Sequence, residues 1–319
     1  MTRRLHPNAR AELVTGPLFW PLTTATVATA FLSAALEPDP VVSATIAIAV
    51  VATLGLPHGA ADHAVMRAIT GVFDPVRFHV RYVAGAAGYA ALWLTVPAVA
   101  LIGFLLVSAH HFGQSDLAHL RQDGSRMLQW SRGVFVVAVP LVAHTTAVGP
   151  IVERLAGVDP STWSWLAASR PVVIALLIGQ HLAAVAFLLR RTPALRLRQL
   201  VVTISLTTLF VAADPLIGFA VYFGAWHSLG HLMTLSSVVG TGGRPIVDVV
   251  RIAAPRTLVV AVLAAAGAAL CVVAGRADLI VPSVFVMLSL VTVPHAVVVE
   301  RMWRDDRSAV TDQPLVATR

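Results

Sequence analysis

Twelve histidines lie in this chain, several of them inside runs made otherwise of hydrocarbon. An imidazole in a bilayer is costly unless it has a partner, so histidines gathered at one depth on different helices point to a metal or proton site. The segment Trp226-His227-Ser228-Leu229-Gly230-His231 sets two imidazoles four residues apart. They fall on one helical face, close enough to grip one ion. The plain alternative is two polar side chains hydrogen-bonding to neighbouring helices. Gly230 would let a partner helix or a substrate approach closely.

A second motif is Gly55-Leu56-Pro57-His58-Gly59-Ala60-Ala61-Asp62-His63. Pro57 frees a backbone position and the glycines thin the helix, so His58 is expected to project into a cavity at membrane depth. Asp62, four residues on, suits the spare ring N–H of a ligating histidine on its own or a neighbouring helix. His63 is read as an interfacial residue facing solvent. A third motif, Ser108-Ala109-His110-His111-Phe112-Gly113-Gln114-Ser115-Asp116, holds adjacent histidines whose side chains diverge by about 100°. One of the two is a ligand. Asp116 follows as an outer acceptor or an interfacial charge. Pro294-His295 and Glu300 close the last apolar run, and His295 suits a supporting role as well as ligation. His181 reads as a helix-packing hydrogen bond, His6, His79 and His119 as interfacial, and His144 as lying toward the outer side. An all-imidazole set drawn from His58, His110 or His111, His227 and His231 suits Fe(II), Cu or Zn.

The elements that must position these residues are transmembrane helices. Of the 319 residues 57% are apolar and only 12% charged, far from a soluble profile. Ten apolar runs of spanning length are predicted, at about 17–36, 41–66, 78–96, 97–115, 131–149, 171–189, 198–213, 215–239, 257–275 and 279–300. The fold class is therefore all-α, a polytopic membrane bundle. One transmembrane domain is expected over 1–319, with its core at 17–300, a short segment 1–16 before it and a tail 301–319. Ser33-Ala34-Ala35 resembles a signal-peptide cleavage site, but the run before it is long enough to span. Every positive charge is an arginine, and with ten spans all but Arg154, Arg170 and Arg276 fall on one side. By the positive-inside rule both termini are cytoplasmic and the protein is a multi-pass protein of the cell membrane. The arginines sit beside apolar runs rather than on one basic face, which argues against a nucleic-acid partner. A lone Cys271 excludes an intrachain disulfide and a Cys-rich metal site.

Under that topology the histidine-bearing helices run from outside to inside, and their histidines lie in the inner halves. His58 precedes Arg67 by nine residues, His111 precedes Arg121 by ten, and His231 precedes Arg244 by thirteen. At about 1.5 Å per residue these depths agree to roughly 10 Å.

In order and spacing, the motifs around His58, His111, His227 with His231, and Pro294-His295 resemble the bacteriorhodopsin-related (Brp/Blh) family of membrane β-carotene 15,15′-dioxygenases, over about residues 50 to 300. The resemblance implies O2-dependent cleavage of the central double bond of β-carotene to two all-trans-retinal. It implies a non-haem Fe(2+) held by His58, His111, His227 and His231, with His110, His295, Asp62 and Asp116 as outer supports. A functional link to a microbial rhodopsin follows. Such a substrate partitions into membrane lipid, so an intramembrane tunnel avoids extracting it into water. Phe104, Phe112, Phe219, Tyr222, Phe223 and Trp226 are positioned to wall it. Two other functions compete. A haem-binding electron-transfer bundle needs paired axial histidines facing across helices, and a His/Asp-relay transporter needs polar residues staged across the whole membrane.

Overall fold

The computed structural model describes residues 13–70, 72–117, 120, 125–239 and 245–311. The expectations for Arg3, Arg4, His6, Arg10, His119, Arg121, Arg244 and the tail from 312 lie outside the described residues. Among the described residues the chain is helical, with no strand. In order the helices are α1 (Phe19–Leu36), α2 (Pro40–Thr70), α3 (Pro75–Thr95), α4 (Pro97–Leu117), α5 (Ser125–Ala143), α6 (Thr145–Ala156), α7 (Ser164–Leu188), α8 (Pro193–Ala212), α9 (residues 215–239), α10 (Pro245–Val273) and α11 (Ile280–Thr311).

Aspartate followed by proline starts several of these helices. Asp39 accepts from the Val41 N–H, Asp74 from Arg77, Asp159 from Ser161, and Asp214 from both Leu216 and Ile217. In each case the carboxylate satisfies amides that the first turn leaves open, and the proline occupies a position that needs no N–H. In the loop before α7, the Ser161 amide also holds the Asp159 carboxyl below its ordinary value.

Helix occupies all ten runs predicted to span. By length and apolarity alone, seven helices can cross a membrane, and up to eight if a bent pair counts as one crossing. The protein is thus a polytopic helical membrane protein with apolar side chains such as Leu258, Val262, Leu270 and Val273 exposed on its outer face. The predicted continuous span at 131–149 is corrected: the chain bends by 103° between α5 and α6. Pro140 weakens the last turns of α5, and at His144 the backbone leaves the helical region at φ −121° and ψ 42°. Beyond the bend, Arg154 Nε meets Asp278 Oδ2 at 2.9 Å and Arg276 Nε meets Asp278 Oδ1 at 3.3 Å. Two of the three arginines set apart by the charge pattern therefore converge on one carboxylate.

Two glycines bring α4 and α5 into backbone contact. A Cβ on Gly113 would run into the Gln129 carbonyl oxygen, and one on Gly133 into the Ala109 carbonyl oxygen. Neither obstacle is a side-chain end that could swing aside. Gly113→Ala is expected to destabilise the protein by at least about 1–3 kcal/mol, seen as a lower melting temperature in detergent. Gly267→Ala, whose added Cβ would meet nothing within 4 Å, is expected to leave the melting temperature unchanged or raise it. Equal melting of the two variants would show that the crossing has slack.

Candidate metal centre

Two interruptions of α-helical geometry position the histidines. In α2 a π-helical turn, Val51–Gly55, precedes Pro57, and the Leu56 N–H reaches back to Val51 O. The cause is local, because the proline ring removes one backbone bond and crowds the carbonyl four residues earlier, so the turn widens. In α9 the π-helical turn is Tyr222–Ser228, closed by the Leu229 N–H on Gly224 O. Along α9 the rings of Phe219, Phe223, His227 and His231 form a parallel ladder. Successive centroids lie 5.2, 5.7 and 6.2 Å apart, with interplanar angles of 13°, 18° and 7°. In an unbroken α-helix each four-residue step would drift by about 40°. Within the π turn more residues complete each revolution, so the drift reverses and the ladder stays on one face.

The two π turns pack against each other through glycine. A Cβ on Gly55 would strike the Phe223 ring, and one on Gly224 would lie 2.5 Å from Val50 Cγ1. This crossing carries His58 of α2 to His227 of α9, and α4 and α11 add His111 and His295. The four imidazoles His58, His227, His111 and His295 form a closed ring. Neighbouring centroids lie 5.2, 4.9, 4.8 and 5.0 Å apart, with interplanar angles from 74° to 84°. His231 sits against all four, at 5.5 Å from His58, 6.2 Å from His227, 6.0 Å from His111 and 5.3 Å from His295. All five are buried. His58, His111 and His227 each offer a ligand atom within 4.8 Å of the others.

Carboxylates and tyrosines back two of these imidazoles. His295 Nδ1 lies 2.8 Å from Asp62 Oδ1, and the Tyr82 hydroxyl donates to Asp62 Oδ2 at 3.1 Å. His227 Nδ1 lies 3.7 Å from Asp116 Oδ1, longer than a hydrogen bond, and the Tyr222 hydroxyl donates to Asp116 Oδ2 at 3.0 Å. Arg132 Nε pairs with Asp116 Oδ2 at 3.3 Å, both side chains buried. The charge pattern had counted Arg132 among the interfacial arginines; it lies in the core, two turns into α5. Tyr82 and Arg132 carried no motif. The only sequence signals for them were an acidic residue inside a neutral run and an arginine following a helix start.

The other predicted residues divide clearly. His110 turns away from the ring, with Nε2 3.6 Å from Glu300 Oε2 and its ring over Trp130, so the adjacent pair resolves in favour of His111. His181 meets Ser131 Oγ at 2.8 Å and stacks on Phe135 at 5.1 Å, away from the ring. His63 is half-buried, and its Nδ1 lies 3.3 Å from Ala60 O rather than facing open solvent. His144 Nε2 lies 2.9 Å from Phe210 O at the bend.

Two cavities flank the centre. One of about 140 Å³ contains His58, His111, His227 and His295 and extends past Tyr82 toward His79 and Arg256. The other, of about 200 Å³, is almost wholly apolar, walled by Phe104, Phe210, Phe219, Tyr222 and Phe285 among others. Phe112 lines both. Phe223 belongs to the histidine cavity, and Trp226 to neither of the two. The tunnel role expected for Trp226 is thereby corrected. Its Nε1–H donates to Thr26 Oγ1 of α1 at 2.9 Å, because within a π turn successive side chains advance by less than 100° and Trp226 ends up facing the first helix.

The donor set fits a metal ion. His111 is 2% exposed, yet neither ring nitrogen has a hydrogen-bond partner, and His295 Nε2 is likewise unpartnered. Buried polar atoms left so are costly, and a cation accepting those lone pairs removes the cost. Among known proteins, one of Halobacterium salinarum named a probable beta-carotene 15,15′-dioxygenase Blh is 29% identical over 266 residues, 73% of this chain and 72% of that one. A beta-carotene 15,15′-dioxygenase of an uncultured marine bacterium is 28% identical over 197 residues, 58% of this chain and 66% of its own length. No solved structure matches. With the family defined as beta-carotene 15,15′-dioxygenase matching residues 49–303, a stretch that holds all five imidazoles of the centre and the aspartates behind them, this chain belongs to the beta-carotene 15,15′-dioxygenase family.

Proposed function

We propose that this chain cleaves the central 15,15′ double bond of β-carotene with O2, giving two molecules of all-trans-retinal, at a non-haem Fe(2+) held by His58, His111, His227 and His231. The observation that carries the reading is the shared wall at Phe112, where a chamber of imidazoles meets a chamber of hydrocarbon. A polyene partitions into such surroundings from the bilayer without crossing water. When bound, iron would supply the redox chemistry that lets O2 react with an alkene. Breaking the C=C bond and turning each carbon into a carbonyl takes up the two atoms of one O2, so no further reductant is needed.

The chain's own part is positioning. Aromatic rings of Phe104, Phe219 and Phe285 are placed to hold the flat polyene, and Phe112, edge-on to His227 at 4.6 Å, sets how far one arm of it advances past the imidazoles. Burial of the five histidines keeps water from the centre. Asp116 and Asp62 hold imidazole orientation, so no acid or base is required in the reaction itself. The parallel rings of His227 and His231 on one helix support one shared ion over a haem, whose two axial histidines must face each other from opposite sides. Both termini are proposed to be cytoplasmic in the cell membrane, from the arginine distribution, and a microbial rhodopsin is a fitting acceptor of the retinal.

The test is metal analysis joined to product identification on purified protein. One iron per chain and retinal as the product of added β-carotene are expected, with both aldehydes labelled from 18O2. Stoichiometric iron with β-carotene recovered intact would sink the substrate assignment.

A further inference from the structure

We infer that His295 is itself a metal ligand, completing a square with His58, His111 and His227 under His231, and that Asp62 and Tyr82 are the residues that position it. The assignment rests on the iron reading above and enlarges it. Three observations carry it independently of sequence pattern. The first is the closed ring: with His295 in place, each of the four imidazoles has two near-perpendicular neighbours at 4.8 to 5.2 Å, and His231 touches every member. That is the layout of five ligands at the corners of a square pyramid, which leaves one coordination position for a reactant.

The second observation is the pairing of the two ring nitrogens of His295. Nδ1 is 2.8 Å from Asp62 Oδ1, while Nε2, on the other side of the ring, is buried and unpartnered. A carboxylate on one nitrogen fixes the tautomer so that the other presents a lone pair, as carboxylates behind metal-bound histidines do. The third is repetition. Tyr82–Asp62–His295 has the same order of contacts as Tyr222–Asp116–His227, tyrosine hydroxyl to Oδ2 and histidine Nδ1 to Oδ1. His227 belongs to the tight three-nitrogen set, and its counterpart is built with the shorter carboxylate contact. Tyr82 also reaches Val291 O at 3.3 Å, a carbonyl beside the backbone position that Pro294 leaves without a donor. Pro294 thus helps aim the next residue, His295, inward.

The experiment uses the full chain, stripped and reloaded with Fe(II), with affinity read by chelator competition and the imidazole count by X-ray absorption. His295→Ala and His295→Gln are expected to lower iron affinity at least about 10- to 100-fold and to remove one imidazole from the scattering. Asp62→Asn is expected to lower affinity by about 10- to 100-fold with the imidazole count kept. His181→Gln, altered away from the ring, should bind as the unaltered chain does, and melting curves of each apoprotein separate metal loss from misfolding. Unchanged affinity and scattering in both His295 variants would overturn the assignment alone. An unaltered chain that holds no iron would overturn it together with the iron reading.

Discussion

A carotene-accumulating bacterial host expressing the unaltered chain is expected to lose its orange colour and gain retinal, and His58→Ala or His227→Ala is expected to keep it orange. Each substitution removes an imidazole from the three-nitrogen set whose members lie within 4.8 Å of one another, and neither site has a side chain nearby that could replace it. A metal centre contributes several kcal/mol of activation, so cleavage should fall at least about a thousandfold. His110→Ala tests the specificity of the effect. That residue is adjacent to His111 in sequence but faces Glu300 and Trp130, so colour loss should persist. Retinal formed at normal rates by the His58 and His227 variants, with both proteins present in the membrane, would remove the imidazole ring from the chemistry.

The second large effect is on folding. Asp116 and Arg132 are a buried ion pair at 3.3 Å, and Asp116 also accepts from Tyr222. Asp116→Ala strands the guanidinium in a site 2% exposed and is expected to destabilise the protein by about 3–5 kcal/mol. Removing both charges should cost less than removing one. Asp116→Ala with Arg132→Met is therefore expected to recover much of the stability in a denaturation series in detergent, while still binding iron more weakly because His227 has lost its carboxylate. If the double variant melts with the single one, the arginine is satisfied by something other than Asp116.

The centre was legible in the sequence because histidine is expensive in hydrocarbon, so its placement at one depth on several helices needed a reason. The family motifs pointed the same way. Legibility ended where the partner is distant along the chain. Asp62 was recognisable as a support, but its imidazole is 233 residues away, and the choice among candidate histidines depends on helix order in space. Tyr82 looks like any aromatic residue in an apolar run. Arg132 was misplaced because it follows Arg126 closely and charge counting cannot see that α5 has already turned inward. The helix boundaries were legible from aspartate–proline pairs. The bend at His144 was not, since proline inside a helix permits a break without dictating it. Trp226 was misassigned by the assumption of uniform helical pitch, which fails at Tyr222–Ser228.

That failure of uniform pitch has a consequence for how the chain tolerates length changes. Each widened turn stores one surplus residue relative to an α-helix. Excising a residue such as Ala225 would let α9 relax into regular geometry and swing everything beyond it by about 100°, taking His231 off the ring while the helix itself became more conventional. Stability and catalytic assembly pull in opposite directions at this point of the sequence, so shortening there would be silent in a folding assay and ruinous to the chemistry.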